Sequence, residues 1–420
     1  METLRISDRG VPDPWALPLA EIDPSQAEIF LNNAQGEYFR RLRREDPVHY
    51  CADSAFGPYW SITRFDDIVE IETNTKVFSS EPVIVIGDVP AEYLMPMFIA
   101  KDPPVHDVQR KAAAPAVGAP RLAELEDLIR RRAGAILDGL PVGPTFNWVE
   151  RVSKELTAQM LATLFDIPFE DRHLLPYWSD VSTNSEACGV QTDMTARQKI
   201  LMECLAYFTR LWHQRAAAPP SLDFISLLAH NPETRNLVQD PNALMGNVML
   251  LIVGGNDTTR NSISGGVVFL NQNPQEYDKL RADPALITNM VSEIIRYQTP
   301  LSHMRRTVTE DFTFKGKRMR KGDKVVLWYC SGNRDDGVIE NPEEFRVDRT
   351  RARHHIAFGF GIHRCMGNRM AEMQLRVLWE EIMKRFSRIE LVAPPRRVLS
   401  NFVNGYEEVQ VRLHPLDRGQ

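Results

Sequence analysis

Apolar residues recur at i, i+3 and i+4 in six long segments, about 121–140, 147–165, 196–217, 241–271, 285–298 and 366–386. That spacing is one face of a 3.6-residue helix and predicts a mostly helical protein. Shorter runs rich in β-branched and aromatic residues are bounded by Gly, Asp and Pro and predict strands. They are PVHYC at Pro47–Cys51, YWSIT at Tyr59–Thr63, KVVLWY at Lys324–Tyr329 and EVQVRL near the end. The expected class is mainly α with small β-sheets (α+β), helix-rich over about 100–300 and 366–386 and β-richer over about 45–65, 305–330 and 388–413. Only short proline breaks interrupt the pattern, such as Ala218-Pro219-Pro220 and Ala393-Pro394-Pro395. Residues 1–420 are therefore read as a single domain with a large core.

The segment from Asp240 carries a local conflict. Asp240 is a helix N-cap with Pro241 at the first helical position, and the next breaker is Asn271-Gln272-Asn273-Pro274. A helix of about 30 residues runs about 45 Å. Inside it stand Gly254 and Gly255, each costing about 1 kcal/mol relative to alanine. Close packing of a neighbouring helix explains such a pair, and so does room for a bulky flat ligand.

Composition narrows the function classes. At 43% hydrophobic and 25% charged residues the chain is ordinary for a globular protein. A formal net charge of −6 argues against a protein that coats nucleic acid. The five cysteines, Cys51, Cys188, Cys204, Cys330 and Cys365, are odd in number and lack CxxC spacing. A reduced, cytoplasmic setting is expected, without a disulfide framework or zinc ribbon. The first residues have no apolar stretch of signal-peptide length, and the most apolar run, Val248 to Val253, is far below the roughly 20 residues of a membrane span. No membrane anchor is expected.

Candidate chemistry concentrates at FGFGIHRCMG, Phe358–Gly367, directly before a helical run. Gly359, Gly361 and Gly367 allow positive φ and bring amide N–H groups toward one sulfur. Those donors, the dipole of the following helix and the charges of Arg364 and Arg369 favour a Cys365 thiolate. A lone cysteine before a helix is more often a small buried hydrophobe; the glycine pattern reverses that reading. The stretch resembles the haem-binding loop of cytochrome P450 enzymes, Phe-x-x-Gly-x-Arg/His-x-Cys-x-Gly. Phe358, Gly361, His363, Cys365 and Gly367 fill every defined place, with His where Arg is more common. Three weaker matches follow the family's order: Glu293 and Arg296 in EIIR, Gly254 to Thr258 in GGNDT, and Asp102 to Arg110 in DPPVHDVQR.

The resemblance implies a P450 fold around one haem b, with Cys365 as the iron ligand. It implies that Gly254 leaves room for the haem, and that His106, Arg110, Arg306 and His355 meet the propionates. Neighbouring Arg305 and His354 leave single-residue slips open. Taken as residues, His106 and Arg110 at i, i+4 share one helix face, either a solvated basic face or two donors for one carboxylate. Glu293 and Arg296 taken alone form an ordinary helix pair; in the family they are a buried structural network, so they are assigned to folding. Asp257 and Thr258 are either a solvated acid beside a hydroxyl bonded to its own helix or, as the resemblance implies, the catalytic pair. In that pair Thr258 bonds dioxygen and Asp257 relays protons.

The implied activity is monooxygenation with O₂. No GxGxxG follows a strand, so electrons are expected from a separate ferredoxin and its reductase, docked near Lys111, Arg364 and Arg369. Ile84, Leu94, Met95, Met97, Phe98 and Ile99 in the loop 83–100 fall at the family's first substrate-facing segment, as do Leu250, Val253, Leu301, Met304, Phe402 and Val403 at other pocket positions. Individually each is more often core than pocket. GGNDTTRNSISGGV and LSHMRRT resemble the bacterial alkane and fatty-acid terminal hydroxylases, so terminal hydroxylation of a medium-length alkyl chain is expected. A P450 acting on a terpenoid or other compact apolar molecule is the alternative. A haem-thiolate sensor or carrier and a peroxide-driven oxygenase are weakened by the acid–alcohol pair. A monomer is expected.

Overall fold

The computed structural model describes residues 10–183 and 193–416. Its helices of eight or more residues are α1 (Gln35–Glu45), α2 (Phe65–Thr73), α3 (Val105–Ala113), α4 (Ala119–Asp138), α5 (Glu155–Phe165), α6 (Leu174–Thr183), α7 (Met194–Ala217), α8 (Pro241–Gln272), α9 (Pro274–Ala282), α10 (Ile287–Gln298) and α11 (Asn368–Arg385). Each of the six periodic segments is a helix. The second begins as a π-helical turn, Val149–Lys154, before α5. Sequence periodicity did not mark α1, α2, α6 or α9, which are short and take their stability from packing rather than from a long apolar stripe.

Five strands form the larger sheet: β1 (Val48–Cys51), β2 (Tyr59–Ile62), β3 (Phe78–Ser79), β4 (His303–Val308) and β5 (Lys324–Trp328), in the spatial order β1-β2-β5-β4-β3. Only β2 and β5 run parallel, with Trp60 opposite Val325. A second sheet pairs β7 (Gln410–Pro415) with β6 (Phe386–Leu391) and with Phe146–Asn147. The last strand starts two residues later than read because the Val409 amide donates to the Asn147 side chain at 3.1 Å instead of joining the ladder. Cys51, Cys204, Cys330 and Cys365 are free thiols, and Cys188 lies outside the described residues.

Helix α8 is the axis of the molecule. Asp240 caps it by accepting from the Asn242 and Ala243 amides, both at 3.1 Å. It packs on α5, α6, α10 and α11. Its two central glycines divide the two explanations between them. A Cβ on Gly255 would lie 2.6 Å from Leu161 Cδ2 of α5, so this glycine serves close helix packing. A Cβ on Gly254 would meet nothing within 4 Å, and that position opens into a cavity.

Glu293 and Arg296 are both fully buried on α10. Arg296 donates through Nε and Nη2 to the two Glu293 oxygens, each at 2.7 Å, and Arg349 Nε adds a third bond at 2.9 Å. Arg296 Nη1 also reaches the carbonyl of Asn333 at 2.8 Å, and the Asn333 side chain accepts from Ile356 N at 2.8 Å. The pair thus ties α10 to the segment that enters the Cys365 loop. Removing one partner of such a buried pair costs about 3–5 kcal/mol.

Candidate active site

The Cys365 loop is closed by the Cys365 amide, which donates to Phe358 O at 2.8 Å. Gly359 and Gly361 have φ of 67° and 63°, values that L side chains rarely adopt. A Cβ on Gly361 would also press to 2.6 Å from the Glu72 carbonyl oxygen. Gly367 does not share this role: its φ is −90° and it is the N-cap of α11, with open space where a Cβ would stand. Cys365 is exposed to the cavity that it lines. Burial pushes its thiol up, while the Gly367 amide and the charges of Arg110 and Arg364 favour the thiolate.

The cavity has a volume of about 580 Å³, within the range of small-molecule and cofactor sites. His106, Arg110, Arg306, Phe358, His363, Cys365, Gly254, Thr258 and Gly367 all line it. So do Ile84, Leu94, Met95, Met97, Phe98, Ile99, Leu250, Val253, Leu301, Met304 and Phe402. His106 and His363 are both buried and meet edge to face with ring centroids 4.4 Å apart. Each has one ring nitrogen, His106 Nε2 and His363 Nδ1, that is buried with no partner among the described residues. Ser80 Oγ holds the other His363 nitrogen at 2.8 Å, and Asp102 accepts from the Ser80 amide at 3.0 Å. Burial, reinforced by the charges of Arg306, His106 and Arg110, pushes His363 down to about 2, so its ring is neutral. Arg110 Nη2 donates to the Arg364 carbonyl at 2.5 Å, joining α3 to the loop.

Four expected residues stand elsewhere. His355 does not line the cavity; its Nδ1 accepts from Ala357 N at 3.2 Å, two residues on, and burial pushes it down to about 3. His363 holds the histidine place at the cavity instead. Val403 is buried in a single β-bridge to Leu301. Gly361 supports the loop from behind, against Glu72. Asp257 lies outside the lining and is fully buried rather than solvated. Its Oδ1 accepts from Asn256 Nδ2 at 2.8 Å and pairs with Arg260 at 3.0 Å, and Arg260 reaches half-exposed Asp180 at 2.6 Å. Asp257 Oδ2 and Arg260 Nε and Nη1 have no hydrogen-bond partner among the described residues. Burial pushes the Asp257 carboxyl up, against the nearby Arg260 charge. The neighbouring Thr258 does line the cavity, and its hydroxyl donates to Gly254 O at 2.7 Å.

Sequence reasoning missed several residues that shape this site. Gly246 lets α8 touch the loop before α3: a Cβ there would collide with the Pro96 carbonyl oxygen and come 2.8 Å from that of Met95. Asn247 Oδ1 accepts from Phe98 N at 3.1 Å beside it. Glu72, Tyr329 and Ser80 were also unmarked, because each acts through partners far away in the chain, and so was Arg260, which joins neighbouring Asp257 to distant Asp180.

A model of the cytochrome P450 family matches residues 185–411. Linalool 8-monooxygenase of Pseudomonas putida is 36% identical over 94% of this chain and 99% of its own. The chain belongs to the cytochrome P450 family. The solved cytochrome P450-153 from Novosphingobium aromaticivorans is 41% identical, with a TM-score of 0.88 over 96% of this chain and 100% of its own. A methyl-branched lipid omega-hydroxylase of Mycobacterium bovis is 29% identical over 96% of each chain. The family implies a haem-thiolate iron, and the cavity of this P450 fits that group. Its lining has a thiol at the end of a loop, glycines 254 and 367 with no atom where a Cβ would be, the cationic side chains of Arg110 and Arg306, and the orphaned imidazole nitrogens of His106 and His363. The protein is a P450 monooxygenase with a largely apolar cavity suited to hydrophobic substrates. No helix among the described residues is long and apolar enough to cross a membrane.

Proposed function

We propose that this cytochrome P450 hydroxylates the terminal carbon of a medium-length alkyl chain, in an alkane, a fatty acid or a similar molecule. The observation that carries this reading is the apolar wall of the cavity that Cys365 enters. Met95, Met97, Phe98 and Ile99 come from one loop, Leu250 and Val253 from α8, and Leu301, Met304 and Phe402 from the β4 region and the C-terminal turn. Such a wall holds an alkyl chain by buried area, about 25 cal/mol per Å², and offers few hydrogen bonds to fix an internal position. A terminal C–H bond is stronger than its internal neighbours, so selectivity for it rests on presenting only the chain end.

Bound haem b, ligated by Cys365, supplies the oxidising chemistry with O₂. His106, Arg110, Arg306 and His363 offer the donors for its propionates. Thr258 places a hydroxyl in the cavity, and Asp257 stands one residue away with Arg260 and Asp180 leading to the surface, the route by which protons are supplied. Lys111, Arg364 and Arg369 are exposed around the Cys365 loop together with Phe360, a surface suited to an acidic ferredoxin. The working unit is a cytoplasmic monomer that receives electrons from that ferredoxin and its reductase.

The relation to linalool 8-monooxygenase supports a second reading, in which the guest is an acyclic terpenoid. Optical titration of the ferric protein with alkanes, fatty acids and linalool, beside the spectrum of its reduced carbon monoxide complex, separates the two. A thiolate-type spectrum with a low-to-high-spin shift that peaks at one chain length supports the alkyl reading. A spin shift with linalool and none with any linear chain rejects it in favour of the terpenoid.

A further inference from the structure

A buried triad that joins Arg306 to two residues of no recognised motif, Glu72 and Tyr329, lies against the Cys365 loop. Glu72, on α2, is 1% exposed. One of its oxygens accepts from the Tyr329 hydroxyl and the other from Arg306 Nη2 at 2.5 Å. Arg306, on β4, is 2% exposed, and its Nη1 donates to the Arg305 carbonyl at 2.8 Å. Arg306 and Tyr329 line the cavity, whereas Glu72 stands behind them. The Cys365 loop is shaped around the triad: besides the Gly361 contact with Glu72, a Cβ on Gly359 would lie 3.3 Å from the Tyr329 hydroxyl.

The partners left over at this edge of the cavity are informative. Both terminal nitrogens of Arg306 already donate, while His106 Nε2 and His363 Nδ1 are buried without a partner among the described residues. A carboxylate group entering here meets an arginine that carries a carboxylate already. A buried cation left unpaired would act strongly through the low-dielectric interior, whereas a compensated pair presents a dipole whose field falls faster with distance.

We propose that Glu72 is a positioning residue that cancels the charge of Arg306 and fixes its guanidinium, and thereby holds down the reduction potential of the haem. The proposal rests on the haem-thiolate reading of the cavity. Charge and hydrogen bonding around a haem tune its potential without touching the iron, so Glu72 sets how readily the electron donor can reduce the protein.

The test is the ferric/ferrous midpoint potential of haem-loaded protein, measured by spectroelectrochemistry for the parent, Glu72→Gln, Arg306→Gln and the double variant. Glu72→Gln should shift the equilibrium at least tenfold toward ferrous, about 59 mV for one electron. Arg306→Gln should shift it the other way, and the double variant should return to within threefold of the parent. A purely structural role would lower stability without this reversal of sign. A Glu72→Gln protein that keeps its thiolate carbon monoxide spectrum and a potential within threefold of the parent overturns the proposal. If Glu72→Gln fails to retain haem, the double variant decides: recovery of haem with the parental potential supports the compensation, and failure to recover overturns it. A parent protein without a thiolate spectrum would instead reject the haem-thiolate reading itself.

Discussion

The Thr258 hydroxyl spends its proton on Gly254 O at 2.7 Å, which leaves its oxygen able to accept a bond in the cavity. To donate there it must first release Gly254, so the side chain can switch roles within one helical turn. Thr258→Ala removes the switch without disturbing the loop that carries Cys365. Haem incorporation should be retained, while product formed per NADH falls about tenfold, a change of about 1.4 kcal/mol in partitioning, and the lost electrons appear as hydrogen peroxide. Measuring NADH, product and peroxide in one reaction checks it, and unchanged coupling would remove Thr258 from the proposed proton route. At this scale the sequence singled out Thr258, Asp257 and Cys365 together, and the structure puts Thr258 and Cys365 on one cavity with Asp257 outside its lining. It could not mark which of the adjacent pair faces inward: a difference of one position is 100° around a helix, and only packing of α6 and α8 decides which side is the cavity.

Helix α8 carries its glycines for different neighbours, and the difference is measurable. Gly246 sits under the carbonyls of Pro96 and Met95, where added volume must move backbone. Gly246→Ala should destabilise the protein by about 1–3 kcal/mol and weaken the spin-state response to substrate, because Met95, Met97 and Phe98 ride on the displaced loop. Gly254→Ala meets open space and gains up to about 1 kcal/mol of helix propensity, so its urea midpoint should hold or rise. Equal losses in the two variants would show that the loop is not seated on Gly246. The cap at Asp240 and the break at Pro274 were legible because both signals are local. The choice between helix packing and ligand space for Gly254 and Gly255 was not, since it depends on Leu161 of another helix.

At the scale of the whole molecule, burial holds His303 and His355 neutral, which makes stability acid-sensitive. Burial pushes His303 and His355 each down to about 3, and His303 keeps one bond to the Asn401 carbonyl at 3.1 Å. Their unfolded values are near 6.5, so between those limits the unfolded chain binds more protons and stability falls as pH falls. Each group then contributes about 1.4 kcal/mol of lost stability per pH unit between about pH 6 and pH 4. Urea midpoints measured across that range should follow this slope, and His303→Gln should reduce it by about one proton's worth. An unchanged slope in that variant would mean that His303 is already charged in the fold.

Sequence by itself determined the helix-dominated class, the six long helices, the capped start of α8 and the Cys365 loop with its Phe358, His363 and glycine positions. Each of these is written within one element, where periodicity, caps and turn residues act over a few positions. Tertiary structure alone decided that His363 and not His355 reaches the cavity, that Asp257 turns toward Arg260 and Asp180, and that Glu72 pairs with Arg306, 234 residues away. Such pairings have no local signature, because a buried charge finds its partner only when sheet, helix and loop have packed around it.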